Sequence, residues 1–145
     1  MRVVICGSPH WNYDILVRDE IVRLKRQSAL SGTSLFVIHG GEPGPESVAS
    51  KVCAELGIDQ AVYPAARARG DGAWARRNQV MLQEHAVDTV VVFTHSVTKG
   101  SVTHDMIRRA ELKGIRVKVI DAESLKKRAS DEVGIKPVGG GIRRW

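Results

Sequence analysis

The sequence lacks several features that would assign it to a familiar functional class. It contains only two cysteines in 145 residues, and Cys6 and Cys53 do not have the spacing of metal ligands. We therefore expect both to be reduced thiols in the core rather than part of a disulfide framework. The five histidines have neither HxxxH nor HxH spacing, so the sequence predicts no metal site and no cofactor.

Long apolar runs are also missing. No segment approaches the roughly 20 apolar residues that a membrane-spanning helix needs, and residues 1–7 lack the apolar length and cleavage site of a signal peptide. We expect a cytoplasmic protein without a membrane partner. A chain of 145 residues that is 43% hydrophobic is long enough to bury one core but not two.

The positive charge is concentrated near the end of the sequence. Residues 126–145 contain six lysines and arginines and two acidic residues, so they carry +4 of the net charge of +6. We expect a folded domain over 1–125 and a basic, flexible tail over 126–145. This tail can contact nucleic acid, because lysine and arginine neutralise phosphates and Trp145 can stack on a base; a merely solubilising end is the alternative.

The apolar pattern alternates between the strand and the helix period. Strands are expected at 3–6, 35–38, 61–63, 89–93 and 115–120, and helices at 13–27, 46–56, 74–85 and 103–113. We expect Asn12 to cap the first helix and Gly57 to close the second. Apolar strands that alternate with helices form parallel sheets covered on both faces. The expected fold is therefore α/β and Rossmann-like: a doubly wound, mainly parallel five-stranded sheet with helices on both faces.

Two glycine-bearing turns each follow an expected strand and precede an expected helix. They are His39–Pro45 and residues 98–103. Such turns direct unpaired backbone N–H groups and the positive end of a helix dipole at one place, which favours an anion such as a phosphate. Together with residues 7–11 they lie at the carboxyl ends of strands, where ligands of parallel sheets bind. The pattern therefore predicts a nucleotide-related ligand.

Candidate ligand contacts follow from the chemistry of phosphate binding. Gly40, Gly41 and Gly44 allow close approach of the backbone to the anion. Hydroxyl donors and positive charge are available from a second set of residues, which comprises Ser101, Thr103, Lys99 and Arg77. The remaining candidates are Gly7, Ser8, His39, Asn78 and Gly100.

Two carboxylates are candidates for catalysis. Cleavage of an N-glycosidic bond passes through an oxocarbenium-like ribose that a nearby carboxylate can stabilise, and Asp105 and Glu46 are in suitable places. Each also has a purely structural interpretation. Thr103 followed by Asp105 fits an ordinary helix cap with an acidic first turn, and Glu46 can simply complement the dipole of its helix.

Known nucleotide motifs are absent, since Gly7-Ser8-Pro9 is not GxGxxG and no P-loop occurs. Five segments in order instead resemble the SLOG superfamily, which includes the Lonely Guy and DprA proteins, and in particular its small YspA-like or YpsA-related branch. The resemblance covers residues 1–121. It rests on Val4-Ile5-Cys6-Gly7-Ser8 with Trp11, Val37-Ile38-His39-Gly40-Gly41, Arg77-Asn78-Gln79-Val80-Met81-Leu82, Lys99-Gly100 with Thr103-His104-Asp105-Met106-Ile107, and Ala110 with Gly114-Ile115.

This resemblance implies a Rossmann-like fold, a bound nucleotide and a homo-oligomer. The sequence departs from the family at three turns: Pro9-His10 replaces an Arg-Asp pair, Pro43 and Pro45 flank Gly44, and two residues separate Gly100 from Thr103. If Thr103 is aligned with the threonine of the Lonely Guy motif, Met106 takes the place of the catalytic glutamate. Asp105 then lies one position early, about 100° around a helix.

Three hypotheses follow. The protein binds a nucleotide or a phosphate-containing derivative, which needs only the converging loops. Alternatively it is an enzyme that resembles a nucleoside 5′-monophosphate phosphoribohydrolase or transfers a ribosyl group, which needs a well-placed carboxylate. The third possibility is a DNA-associated protein like DprA, which needs a basic surface in addition to the tail.

Overall fold

Strands and helices alternate along the chain in the computed structural model, which describes residues 1–65, 72–97, 99 and 101–121. The predicted tail, residues 126–145, lies outside these residues. Each expected element is present, with bounds that differ by only a few residues. The elements are β1 (Arg2–Gly7), α1 (Asp14–Leu30), β2 (Phe36–His39), α2 (Pro45–Leu56), β3 (Asp59–Val62), α3 (Ala73–Glu84), β4 (Thr89–Phe93), α4 (Val102–Leu112) and β5 (Arg116–Ile120).

The strands form one sheet in the order β3-β2-β1-β4-β5, and every neighbouring pair is parallel. In this register, Val4 of β1 lies between Ile38 of β2 and Val90 of β4. The chain builds the sheet outward from β1 on one side and then returns to add β4 and β5 on the other. This confirms the predicted doubly wound α/β fold, and the sheet is entirely parallel.

The two faces of the sheet carry separate apolar layers. Because side chains alternate along a strand, Val3 and Ile5 of β1 point to one face and Val4 and Cys6 to the other. The first pair belongs to the layer that contains α1 and α2, and the second pair packs with Met81 of α3 and with α4. Strands buried on both sides explain why β1 and β4 are continuous apolar runs. Both cysteines are free and buried, as predicted.

Helix ends differ from the sequence predictions in two places. The N-cap of α1 is Tyr13 rather than Asn12, and no side chain caps this helix. The N-cap of α4 is Ser101, whose hydroxyl accepts a hydrogen bond from the His104 N–H, so the interpretation of Thr103 as a cap is wrong. Gly57 closes α2 in the left-handed conformation, as expected. In the described part of the chain, no helix has the length and apolar character needed to cross a membrane.

Candidate functional site

The loops that follow β1 and β2 pack directly against each other at the carboxyl edge of the sheet. The Ser8 N–H donates to the Phe93 carbonyl at 3.0 Å. A Cβ on Gly7 would lie 2.0 Å from the same carbonyl oxygen, and one on Gly44 would lie 2.6 Å from the Ser8 oxygen. Gly44 also has a φ of 95°, which side-chain-bearing residues rarely adopt. Gly44 therefore allows the loop after β2 to approach the loop after β1 closely, and Gly7 allows the end of β1 to approach the end of β4 closely.

Gly40 leaves space for two side chains that come from different helices. The position of a Gly40 Cβ lies 1.9 Å from Nη1 of Arg77 on α3 and 2.8 Å from Oε1 of Glu46 on α2. The same Glu46 oxygen accepts a hydrogen bond from the Gly40 N–H at 2.5 Å. The turn after β2 is thus the place where a buried guanidinium and a buried carboxyl group meet.

Arg77 is a buried cation with neutral partners. Only 7% of the residue is exposed. Its Nε donates to Oδ1 of Asn78 at 3.2 Å, its Nη1 donates to the Tyr63 carbonyl at 3.4 Å, and its guanidinium lies over the Trp74 ring at 5.3 Å. Within the described residues, no carboxylate lies within salt-bridge distance of this guanidinium. Its charge therefore has no contacting counterion in this part of the molecule.

Asn78 connects the buried arginine to α4. It is 1% exposed, and its Nδ2 donates to Oδ2 of Asp105 at 3.0 Å and to the Val102 carbonyl at 3.1 Å. Asp105 also accepts a hydrogen bond from Nε of Arg109 at 2.8 Å. We call the group that joins the β2 turn to α2, α3 and α4 the carboxyl-edge cluster; it consists of Gly40, Glu46, Arg77, Asn78 and Asp105.

The two carboxyl groups of the cluster have opposite pKa shifts. Burial raises the pKa of Glu46 to about 7, against the favourable effects of Arg77 and of the Gly40 N–H. For Asp105, the effect of burial is outweighed by hydrogen bonds from Asn78 and Arg109, so its pKa is lowered. Glu46 can therefore gain or lose a proton near neutral pH, whereas Asp105 remains a carboxylate.

His39 is fully buried, and its side chain forms a hydrogen bond with the backbone of the turn that follows β2. Its Nδ1 accepts a hydrogen bond from the Gly41 N–H at 2.9 Å, so Nε2 carries the proton that is donated to Oε1 of Gln60 at 2.7 Å. Burial lowers the pKa of His39, which keeps the ring neutral. Its ring nitrogens are both engaged within the protein.

The remaining predicted contacts lie outside the carboxyl-edge cluster. The Ser101 hydroxyl is used as the cap of α4, and Thr103 is half-buried in the first turn of that helix. Lys99 is exposed. Gly100 lies outside the described residues.

Sequence reasoning did not foresee an aromatic cluster between the ends of β1 and β4. The Trp11 ring is buried, and its centroid lies 5.2 Å from those of Tyr13 and His95 and 5.8 Å from that of Phe93. His95 is exposed. This is the point at which the strand order reverses, the usual ligand crevice of such sheets. The available signal was the position of Trp11 and His95 just after two strands.

A cavity of about 890 Å³ lies at the opposite, amino edge of the sheet, lined in part by Met1, Thr89 and Arg116. The most buried charged residue in its lining, Glu20, is already paired with basic side chains. Glu20 accepts hydrogen bonds from Arg23 at 2.8 and 2.9 Å and from Lys118 at 3.1 Å. We therefore place the candidate site at the carboxyl edge, where the buried Arg77 forms no salt bridge with any of the described residues.

Comparisons with known proteins add a similarity of fold. No family model matches the chain, and no curated protein matches it. The X-ray structure of DNA processing protein A (DprA) from Streptococcus pneumoniae is similar, with 13% sequence identity and a TM-score of 0.48; the match covers 87% of this chain and 60% of that chain. The chain thus spans less than two thirds of the length of that structure.

The raised pKa of Glu46 predicts a specific pH dependence of stability. The group binds its proton more tightly when folded than when unfolded, so its contribution favours the folded state below about pH 4.5 and is lost as the pH rises to about 7. Glutamine does not titrate, so the Glu46→Gln variant does not lose stability at this position as the pH rises. Between pH 4.5 and pH 8, its free energy of unfolding should therefore rise relative to the unsubstituted protein by roughly 3 kcal/mol, since one pKa unit corresponds to about 1.36 kcal/mol.

Urea denaturation of both proteins at several pH values measures this difference. Substitution of Glu55, an exposed residue of the same helix, by glutamine is the control; it removes only an exposed ion pair with Arg18, and it should not reproduce the rise of roughly 3 kcal/mol. A constant difference between Glu46→Gln and the unsubstituted protein would contradict the assignment.

Proposed function

We propose that the protein binds a phosphate-bearing nucleotide or nucleotide derivative at the carboxyl-edge cluster, in the manner of SLOG proteins and of their YspA-like branch. The observation that carries this proposal is Arg77, a guanidinium that is 7% exposed and has only neutral hydrogen-bond partners in the described part of the chain. Burying a charge is costly unless it is paired. An anion bound to Arg77 supplies a countercharge at hydrogen-bond distance, which no described residue provides.

The chemistry of arginine favours phosphate as that anion. The guanidinium presents a planar set of N–H donors that matches the oxygens of a phosphate, and such charge-assisted hydrogen bonds are about twice as strong as neutral ones. Asn78 holds Nε from one side, so the orientation of the group is set before a ligand arrives. A preorganised donor loses less conformational entropy on binding.

Backbone groups add a second source of positive potential. The Gly40 N–H points into the cluster, and α2 begins at Pro45, next to Glu46. The start of a helix carries a partial positive charge that stabilises an anion. Gly40 has no side chain to block this approach, and Arg77 lies against it.

The aromatic cluster is our candidate for the nucleoside end of the ligand. Gly7 and Ser8 lie at the same edge of the sheet as the cluster and lead to Trp11, which packs with His95. The half-exposed Tyr13 and the exposed His95 present ring surfaces on which a base can stack. The ligand then extends from Arg77, across the ends of β2 and β1, to this crevice.

Replacing Arg77 tests the proposal directly. We expect Arg77→Gln to weaken binding of a nucleoside 5′-monophosphate by about 10- to 100-fold, because hydrogen bonds to charged groups contribute about 1.5–3 kcal/mol. Isothermal titration calorimetry measures the affinity, and circular dichroism checks that the variant is folded. Arg76→Gln is the matched control, since Arg76 is the exposed neighbour on the same helix, and it should retain affinity.

Two results would contradict the proposal. The first is wild-type affinity in folded Arg77→Gln protein. The second is the absence of binding by the unsubstituted protein to any nucleoside mono- or diphosphate tested.

Glu46 favours a second candidate function, hydrolysis of an N-glycosidic bond. General acid–base catalysis is most effective when the pKa of the catalytic group is near the working pH, and the pKa of Glu46 is raised to about 7. Asp105 is less suited, because Asn78 and Arg109 hold it as a carboxylate. In this hypothesis Glu46 positions the attacking water, and Arg77 holds the phosphate.

Release of free base distinguishes the enzyme from a binding protein. If Glu46 acts in this way, a panel of nucleoside 5′-monophosphates should include at least one that yields free base, and Glu46→Gln should lose this activity while Glu55→Gln keeps it. Chromatography of the reaction mixture measures the base. Binding without any release of base would exclude hydrolysis and retain the first proposal.

The DNA-associated alternative depends mainly on the basic tail, which lies outside the described residues. Homo-oligomer formation and cytoplasmic location likewise remain predictions from the sequence.

A further inference from the structure

Glu46 occupies the backbone donors that would otherwise face an anion. Its carboxyl group accepts a hydrogen bond from the Gly40 N–H at 2.5 Å, and the nearby backbone amide of Glu42 also favours its ionised form. These are amides of the glycine turn in which the sequence predicts a phosphate cradle. The cradle therefore already contains a carboxyl group that belongs to the protein itself.

An incoming phosphate competes with that carboxyl group for the Gly40 N–H and for the space beside the Arg77 guanidinium. Oε1 of Glu46 and Nη1 of Arg77 both lie within 3 Å of the position of a Gly40 Cβ, so a phosphate on Arg77 lies beside Glu46. Glu46 is 4% exposed, and water screens the repulsion between two anions poorly in such a place. A neutral carboxyl group removes the repulsion and holds the amides less strongly.

We propose that Glu46 is an internal competitor for the anion site, and that the site takes up its anion together with one proton on the Glu46 carboxyl group. This inference rests on the proposed function, because it concerns the same site. It makes binding depend on pH even for an anion whose own charge is constant. The competing groups are the bound anion and the ionised form of Glu46.

The groups that face Glu46 come from three elements besides its own helix. Cys6 of β1, Glu42 of the preceding turn and Arg77 of α3 all interact electrostatically with it. Burial and the nearby Glu46 raise the pKa of the Cys6 thiol, which therefore stays neutral. Arginine stays charged in proteins. Burial raises the pKa of Glu46 most and Arg77 lowers it, while the charge of Glu42 raises it and the Glu42 backbone lowers it; the net pKa is about 7.

Sulfate is the appropriate probe, because it remains a dianion between pH 6 and pH 8 whereas a phosphate monoester titrates. For one linked proton, affinity falls about tenfold for each pH unit above the pKa of the free protein's group. We therefore expect the Kd for inorganic sulfate to rise about tenfold from pH 6 to pH 8. Calorimetry at pH 8 in buffers of different ionisation enthalpy should show uptake of about one proton.

Two variants identify the responsible group. Glu46→Gln should bind sulfate at pH 8 as tightly as the unsubstituted protein does at pH 6, with no dependence on pH. Glu55→Gln changes an exposed carboxylate of the same helix and should keep the pH dependence of the unsubstituted protein. Arg77→Gln should lose sulfate binding at both pH values.

The outcomes separate this inference from the proposed function. Sulfate binding that requires Arg77 but has the same affinity at pH 6 and pH 8 would overturn the inference and leave the anion site in place. Persistence of the pH dependence in Glu46→Gln would also overturn it. No Arg77-dependent binding of sulfate or of a nucleoside 5′-monophosphate at any pH would overturn both.

Discussion

The arrangement of the carboxyl edge depends on the contact between the guanidinium of Arg77 and the bare backbone of Gly40. Any side chain at position 40 would overlap Nη1 of Arg77, since a Cβ there would lie 1.9 Å away. This contact brings α3, which packs on one face of the sheet, to the turn that leads into α2 on the other face. The carboxyl ends of the strands are thus covered by a charged group that has no contacting counterion among the described residues.

The two carboxyl groups near that cation, those of Asp105 and Glu46, have different environments and therefore different roles. Asp105 is held by Asn78 and Arg109, so it is a fixed charge that orients the amide next to Arg77. Glu46 lies deeper, and burial raises its pKa to about 7. One acidic group therefore supports the site structurally, and the other can respond to the ligand. The same separation of pKa values between neighbouring carboxyl groups underlies acid–base assignments in many enzymes.

The fold could be predicted from the sequence because strands buried on both faces of a parallel sheet are nearly continuous apolar runs, and the helices between them have the apolar period of a helix. β4 is an example: Thr89–Phe93 consists of one threonine followed by four buried apolar residues, and its bounds are those expected from the pattern. Helix caps were harder to predict. Ser101 and Thr103 both offer a hydroxyl near the start of α4, and the extended backbone of Ser101 together with its hydrogen bond from the His104 N–H identifies it as the cap.

The residues of the carboxyl-edge cluster could be chosen from the sequence as candidates, but their contacts could not be predicted. Glu46, Arg77, Asn78 and Asp105 were candidates, yet nothing in the sequence indicates that Gly40 makes room for a guanidinium 37 positions further along the chain. Likewise, His39 ends a strand as a ligand contact would, but both its ring nitrogens are engaged inside the protein. Such contacts depend on how distant elements pack, which local patterns do not encode.

A crystal structure of the complex with a nucleoside 5′-monophosphate, grown near pH 6, tests the central claim most directly. The account predicts phosphate oxygens within hydrogen-bond distance of the Arg77 guanidinium and of the Gly40 N–H, with the Glu46 carboxyl group displaced from that amide. A phosphate bound elsewhere, with the hydrogen bond between Glu46 and Gly40 unchanged, would contradict it.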